Sequence, residues 1–411
     1  MKTLLVALTL LVSVSAHAVG YDYPVGHLES LMGANSTAMV GSPLGVVFNP
    51  SILATLENPS FSVSGSSYII TKAETGTTKF SSLTSVPNAV VSTWKFEKGT
   101  LAAALIVPRS RDAEFSSQVP ASLIYGAGFP ENADVKYSLL SARNLAGAGW
   151  GQKLGPCGED CEVLVGASVF LSYDSIRRNI FISYAPTTVA AGAAQQISAN
   201  ASTTSLLPVL GATWRKGANT ALGVRVELPS VLLKTDVGGE AFSHAYVNNN
   251  PNGPEYAVAR TSAADLVPSL DQWFLSVGGW WRLQEKWTLV ANADLGERPR
   301  PLSQGDAGES TVEVAGGARY ELNEKYAVHA GTRFDTSTLI GKNADTDFRY
   351  LGIILSGGLS WITKDLESAL GFFNYSSVVS SKPDASKLQP GTLDPTAVQY
   401  YGLTLSAQYR F

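Results

Sequence analysis

The chain has 411 residues, 45% of them hydrophobic but only 16% charged, with a formal net charge of −4. The acidic balance argues against a nucleic-acid partner, whose phosphates need a basic face. A mean hydropathy of +0.07 and 9% aromatic residues argue against disorder, because disordered chains lack apolar groups to bury; charge is also scarcer than the roughly 25% usual in soluble proteins.

Residues 1–18, MKTLLVALTLLVSVSAHA, read as an export signal. Lys2 supplies the positive start, Leu4 to Val14 the short apolar core, and Ala16-His17-Ala18 the small-x-small cleavage pattern. Cleavage is expected after Ala18, leaving Val19 as the mature start. Downstream no charge-free apolar run is long enough to form a spanning helix. Two destinations fit: a secreted β-rich protein, or a transmembrane β-barrel in a bacterial outer membrane.

Residues 19–59 mix small residues, Gly and Pro, alternate poorly, and are expected to form a compact plug inside whatever residues 60–411 enclose. The first strand is expected near Ser60–Thr71. The third, near Thr100–Ser110, contains Pro108, which cannot donate to a ladder; it either ends the strand or breaks the wall there. Gly147-Ala148-Gly149-Trp150-Gly151 lacks nucleotide-loop spacing and reads as glycines in a strand or bulge. Cys157 and Cys161 stand in a turn of an exported chain, so a disulfide is expected to pin that turn.

From Thr220 onward the period-two alternation is clearest. In Thr220–Leu228, Leu222, Val224, Val226 and Leu228 share one face, and Ala221, Gly223, Arg225 and Glu227 the other. The same parity sets Trp287, Leu289, Ala291, Ala293 and Leu295 against Thr288, Val290, Asn292 and Asp294, and Tyr326, Val328, Ala330 and Phe334 against His329, Gly331, Arg333 and Asp335. At the chain end, Leu403, Leu405, Ala407, Tyr409 and Phe411 oppose Thr404, Ser406, Gln408 and Arg410. The polar faces are assigned inward. They place Arg225, Glu227, Asp294, Glu313, Arg319, His329, Arg333 and Arg410 in the lumen, where mixed signs imply ion pairs binding wall to plug. Six short turns follow strand ends bearing Trp94, Trp150, Trp214, Trp281, Tyr320 and Trp361, and longer polar connections lie between them. Short turns alternating with long loops, with aromatics near the turns, describe a closed antiparallel barrel of about fourteen strands. Closure is required in lipid, where an open sheet edge finds no hydrogen-bond partners.

Gly33-Ala34-Asn35-Ser36-Thr37-Ala38, then Val47-Phe48-Asn49-Pro50-Ser51, then a strand from Phe61, resemble the N-terminal hatch of FadL-type outer-membrane transporters. Ser51 stands where that family commonly has Ala. The resemblance implies a hatch filling the lumen, with Phe48, Asn49 and Pro50 at the gate. It also implies a side exit at a kink in the third strand, for which Pro108 is the candidate, and a ligand that is a long-chain fatty acid or another hydrophobic molecule. The last strand, with Tyr409 and Phe411, resembles the signature read by the barrel-assembly machinery, and outer-membrane lipids would surround the barrel. Alternatives are a general porin for small polar solutes and a FadL-like barrel that docks exported proteins.

Enzymatic chemistry finds little support. His27, His244 and His329 fall in no metal-binding pattern, no G-x-S-x-G is present, and no cofactor or metal is expected.

Overall fold

The computed structural model describes residues 26–32, 37–75, 78–120, 131–158, 160–184, 191–247, 261–262, 269–270, 273–297, 300–301, 310–339, 348–381 and 395–411. The export signal and Gly33–Ser36 lie outside the described residues. The N-terminal segment is a 3-10 turn (Glu29–Met32), the one-turn helix α1 (Gly45–Phe48) and a second 3-10 turn (Pro50–Thr55). Strands follow: β1 (Ser60–Thr75), β2 (Thr78–Phe96), β3 (Gly99–Pro120), β4 (Asn132–Gly158), β5 (Cys161–Tyr184), β6 (Ala191–Lys216), β7 (Thr220–Glu227) and β8 (Val231–Val247). After these come β9 (Thr261–Ser262), β10 (Ser269–Leu270), β11 (Phe274–Leu283), β12 (Trp287–Glu297), β13 (Arg300–Pro301) and β14 (Ser310–Asn323). The last four are β15 (Tyr326–Leu339), β16 (Phe348–Ile362), β17 (Leu366–Ser381) and β18 (Pro395–Arg410). Among the described residues no helix is long and apolar enough to cross a membrane, which says nothing of strands.

Fourteen of these strands close a ring. Each of β1 to β6 pairs antiparallel with the next; β7 then pairs with β11, β11 with β12, β12 with β14, and so on to β18, which returns to β1. All six short turns fall where the sequence places them. Alternation sets the two faces as expected. In β7, Ala221 and Arg225 are buried while Leu222 and Val224 are exposed; in β18, Thr404 and Gln408 are buried while Leu403, Leu405 and Tyr409 are exposed. Closure leaves no ring strand without a partner at the turn end, so an apolar outer belt coexists with satisfied backbone groups. Trp94, Trp214, Trp287, Tyr326, Trp361, Tyr409 and Phe411 stand exposed at that end.

The wall is uneven in height. Strands β3 to β6 run 22, 27, 24 and 26 residues, whereas β11 and β12 run 10 and 11. The third strand is therefore longer than the expected Thr100–Ser110. Pro108 does not end it; it sits in a register shift of the β3–β4 ladder between Ile106 and Arg109. A missing N–H is tolerated there because the bulge takes that residue out of pairing.

On its β2 side the tall panel's ladder stops short of the strand ends. The β2–β3 ladder runs from Phe96↔Gly99 only to Ala89↔Ile106, although both strands continue. Two further rungs in that register would set Pro87 opposite Pro108, and neither can donate a hydrogen bond. On the far side the β7–β11 ladder ends at Glu227↔Phe274. Beyond it β8 pairs with β6 on one edge and, at Glu240 and Ala241, with β9 on the other, while β10 pairs with β13 in continuation of the β11–β12 register.

Candidate functional site

The lumen is the candidate site, and its two walls differ. Among the inward side chains of β2 to β6 stands an apolar group, Ala89, Val91, Ala102, Ala104, Ile106, Leu145, Phe170, Leu207 and Val209, all buried, interspersed with neutral hydroxyls such as Thr93, Ser168, Ser205 and Thr213. The apolar group clusters with Leu44, Val46, Val47, Phe48, Leu53 and Leu56 of the N-terminal segment. Barrel interiors are ordinarily polar, so this wall departs from the rule. Burying Phe48 alone is worth about 1.5–3 kcal/mol.

Glycines make the room. Gly151, Gly166 and Gly211 lie side by side on β4, β5 and β6, paired in register. A Cβ on Gly151 or Gly166 would overlap the Pro50 backbone, and one on Gly211 would overlap the Asn49 side chain. Gly147 to Gly151 thus lie in a regularly paired strand rather than a bulge, and Gly149 and Gly151 face the segment the wall encloses. Across the lumen, Gly317 abuts Met32, and the paired Gly358 and Gly371 abut Leu31.

Asn49 is the most connected residue of the three assigned to the gate. It caps the Pro50–Thr55 turn by accepting from the Ser51 N–H, with Pro50 filling the first position, where no N–H is missed. Its Nδ2 donates to the Thr37 carbonyl (2.7 Å) and to Thr213 Oγ1 on β6 (3.0 Å). Ser51 Oγ donates to Asn49 Oδ1 (2.6 Å) and also meets Thr213 Oγ1 (2.7 Å). Fully buried polar groups require such partners. Pro50 packs in the glycine trough, and Phe48 sits 1% exposed in the apolar cluster.

The opposite wall, β7 and β11 to β18, carries the charges. Arg225 pairs with Glu227 on β7, Arg333 with Glu313 (3.4 Å), Arg319 with Glu367 (2.9 Å), and Arg410 with Glu367 (3.3 Å). Arg225 also stacks on Phe274, 5.1 Å from the ring centre. Asp294 accepts from Ser276 and Asn292, and Thr37 binds both of those residues. These ion pairs join wall to wall rather than wall to plug as expected. The carboxylates reached lie on the same strand (Glu227), the adjacent strand (Glu313, and Glu367 for Arg410) or, for Arg319, on β17 three strands along. Arg410 is nearly half exposed, so it lies at the rim. His329 Nε2 lies 2.9 Å from Ser360 Oγ on β16, and both side chains are buried. Among the described residues no group of three His, Cys, Asp or Glu could hold a metal. Cys157 and Cys161 form a disulfide across the β4–β5 turn.

Sequence reasoning missed His27 and Glu29, both buried in the N-terminal segment. His27 Nδ1 lies 2.7 Å from Ser406 Oγ. Burial, reinforced by the Arg319 and Arg410 cations, depresses its pKa to about 3. Burial raises the pKa of Glu29, although the Ser42 hydroxyl donates to its carboxylate. Thr37, Ser51, Thr213 and the glycine trough were also missed; inward-parity glycines were the available signal.

No protein-family model matches the chain, and no curated relative matches it in sequence. Solved structures do match. The Pseudomonas putida toluene transporter TodX superposes with a TM-score of 0.63 at 14% identity, covering 96% of this chain and all of that one. The Ralstonia pickettii toluene transporter TbuX gives 0.61 at 16% identity over 95% and 99% of the two chains. A Pseudomonas aeruginosa FadL homologue gives 0.57 at 13% identity over 96% and 100%. At such identities the likeness is one of architecture, and it extends over nearly the whole chain: this is a fourteen-stranded antiparallel barrel with the fold of the FadL-type hydrophobic-compound transporters.

Proposed function

We propose that the chain is a bacterial outer-membrane channel for passive uptake of hydrophobic small molecules, gated by residues 19–59. The observation that carries it is the seam between β2 and β3, which lies beside the apolar wall. Strands rise about 3.3 Å per residue and tilt by about 40°, so the last rung, Ala89↔Ile106, stands about 12 Å above the Trp94 level. The seam then opens within an apolar band about 25 Å tall. An apolar solute leaving there avoids water, at about 0.8 kcal/mol per methylene. Pro87 and Pro108 would hold the exit open. Long-chain fatty acids and monoaromatic hydrocarbons are equal candidates, the latter because the toluene transporters share the fold. Outer-membrane lipids would meet the exposed belt, and Tyr409 and Phe411 would present the strand that the assembly machinery reads.

Two experiments test this. Deleting Val19–Pro59 should change uptake of labelled oleate or toluene while heat-modifiable gel migration still reports an assembled barrel; unaltered uptake counts against the gate. Replacing both Pro87 and Pro108 with Val restores two donors and should cut uptake without opening an ion path. In a planar bilayer the intact channel should be nearly silent, whereas a general porin would conduct.

A further inference from the structure

The tall panel is taller than a membrane requires. On β5, Val163 pairs with Trp214, exposed at the turn end, and the outward face then runs through Val169 and Leu171 to Tyr173, all exposed. At a rise of about 3.3 Å per residue and a tilt of about 40°, the climb from Val163 to Tyr173 is about 25 Å, the full height of the apolar band. The strand continues to Tyr184, with β4 and β6 paired alongside, so this part of the panel stands roughly another 25 Å above the band. Across the barrel β11 and β12, only 10 and 11 residues long, are used up in crossing.

Above Tyr173 the outward face changes character. Two rows cross β4, β5 and β6 in register: Leu140, Arg177 and Asn200, then Ser138, Asn179 and Ser198. Asn179 Nδ2 donates to Ser138 Oγ (3.4 Å), and Ser198 Oγ donates to Asn179 Oδ1 (2.9 Å), so the second row is one hydrogen-bonded line over three strands. Arg177 is exposed in the middle of this neutral field and has no carboxylate partner among the described residues. The nearest acidic outward positions are Asp112 and Glu114 on β3 and Asp236 and Glu240 on β8, each two strands from β5. Asp236 is already held by Lys234 (2.6 Å). Two aromatic rings, Tyr173 below and Phe181 above, are exposed on the same face of β5, each about 13 Å from Arg177 along the strand.

We propose that the outward face of β4, β5 and β6 above Tyr173 binds the acidic saccharide of an outer-leaflet glycolipid, whose phosphate or carboxylate meets Arg177. A sugar offers hydroxyls that both donate and accept, which Ser138, Asn179, Ser198 and Asn200 answer in kind. The apolar faces of its rings lie on Tyr173 and Phe181, and its acidic group supplies the anion that Arg177 lacks. The source is the membrane's own lipid because the field continues the band on the same strands: Val169 and Leu171, just below Tyr173, meet the acyl chains of the same molecule. The inference rests on the membrane placement proposed above, and it gives the extra height of the panel a use.

The test measures binding of fluorescent lipopolysaccharide to the full barrel, native disulfide intact, in neutral detergent. The variants are Arg177→Gln, the pair Asn179→Asp with Asn200→Asp, and Lys216→Gln at the opposite end as control, each migrating as a folded barrel. Arg177→Gln should weaken binding about tenfold, the worth of one charge-assisted contact. The acidic pair should weaken it further by repelling the anionic group, and the control should leave it unchanged. Phosphatidylglycerol, an anion without the saccharide, should not compete. Binding by Arg177→Gln equal to that of the parent barrel, or displacement by phosphatidylglycerol, overturns the site. Should Arg177→Gln fail to assemble, Ser138→Glu carries the same two outcomes. A bimane label at Val169→Cys, in vesicles of phosphatidylcholine brominated on its acyl chains, tests the membrane placement separately. Absence of quenching there overturns that placement, so the two failures are distinguishable.

Discussion

The wall of β2 to β6 and the wall of β14 to β18 grip the same N-terminal segment by different physics. The first offers a glycine trough and an apolar cluster, in which Phe48 and Pro50 are held by shape and Asn49 by neutral hydrogen bonds. The second is a lattice of buried ion pairs that holds itself together and receives Leu31 and Met32 in glycine pits. Apolar contacts are non-directional and can be remade after a shift. A buried ion pair cannot lose one partner without leaving an uncompensated charge. If residues 19–59 gate the channel as proposed, the charged wall is the frame and the apolar wall the surface along which they shift.

Breaking the frame should have the largest energetic effect. Arg319→Met leaves Glu367, 2% exposed, with only the rim residue Arg410; a loss of about 3–5 kcal/mol is expected, read as a lower temperature of barrel unfolding on gels. The double change Arg319→Met with Glu367→Met should recover much of that loss, since an apolar pair replaces the ion pair. Neither should raise conductance if the frame does not hold the gate. Next comes the trough. Gly166→Val drives a side chain into the Pro50 backbone at a cost of about 1–3 kcal/mol, and should appear as increased bilayer conductance with the barrel intact. Asn49→Ala leaves Thr213 and the Thr37 carbonyl short of a partner, at about 1–3 kcal/mol, and should produce intermittent rather than steady leak.

The smallest expected effect concerns pH. The folded pKa of His27, about 3, lies below the ordinary 6.5, so as pH falls below 6.5 the released segment takes up a proton that the docked segment refuses. Docking of residues 26–32 should weaken progressively from pH 6.5 towards 3. Glu29 acts in the opposite sense: its raised pKa favours docking at low pH and loses that contribution as pH rises above 4.5. Hydrogen exchange of this segment between pH 7 and 5 should show loosening, and His27→Gln should flatten the profile. A profile unchanged by that substitution removes His27 from the explanation.

Parity was legible from residues alone, because a lipid-facing strand must alternate at period two, and one wrong step would turn Arg225 or Glu313 outward. The same rule located the turns after Trp94, Trp150, Trp214, Trp281, Tyr320 and Trp361. Individual side chains were less legible. Gly151, Gly166 and Gly211 lie 15 and 45 residues apart in pairs and become one trough only when three strands align. In β2 to β6 the inward direction was harder to read, since inward Val91, Ile106, Leu145, Phe170, Leu207 and Val209 are as apolar as the outward positions.

The amino-acid sequence by itself determined a closed barrel, its face assignment and its strand count, since periodicity and turn chemistry are local properties that each segment carries alone. Tertiary structure decided which glycines receive the plug and which carboxylate each arginine meets. It also decided where the wall parts. Pro87 and Pro108 are ordinary prolines until the register of β2 with β3 brings them to matching positions just past the last rung, Ala89↔Ile106. Register depends on the pairing of distant segments, and no single strand encodes it.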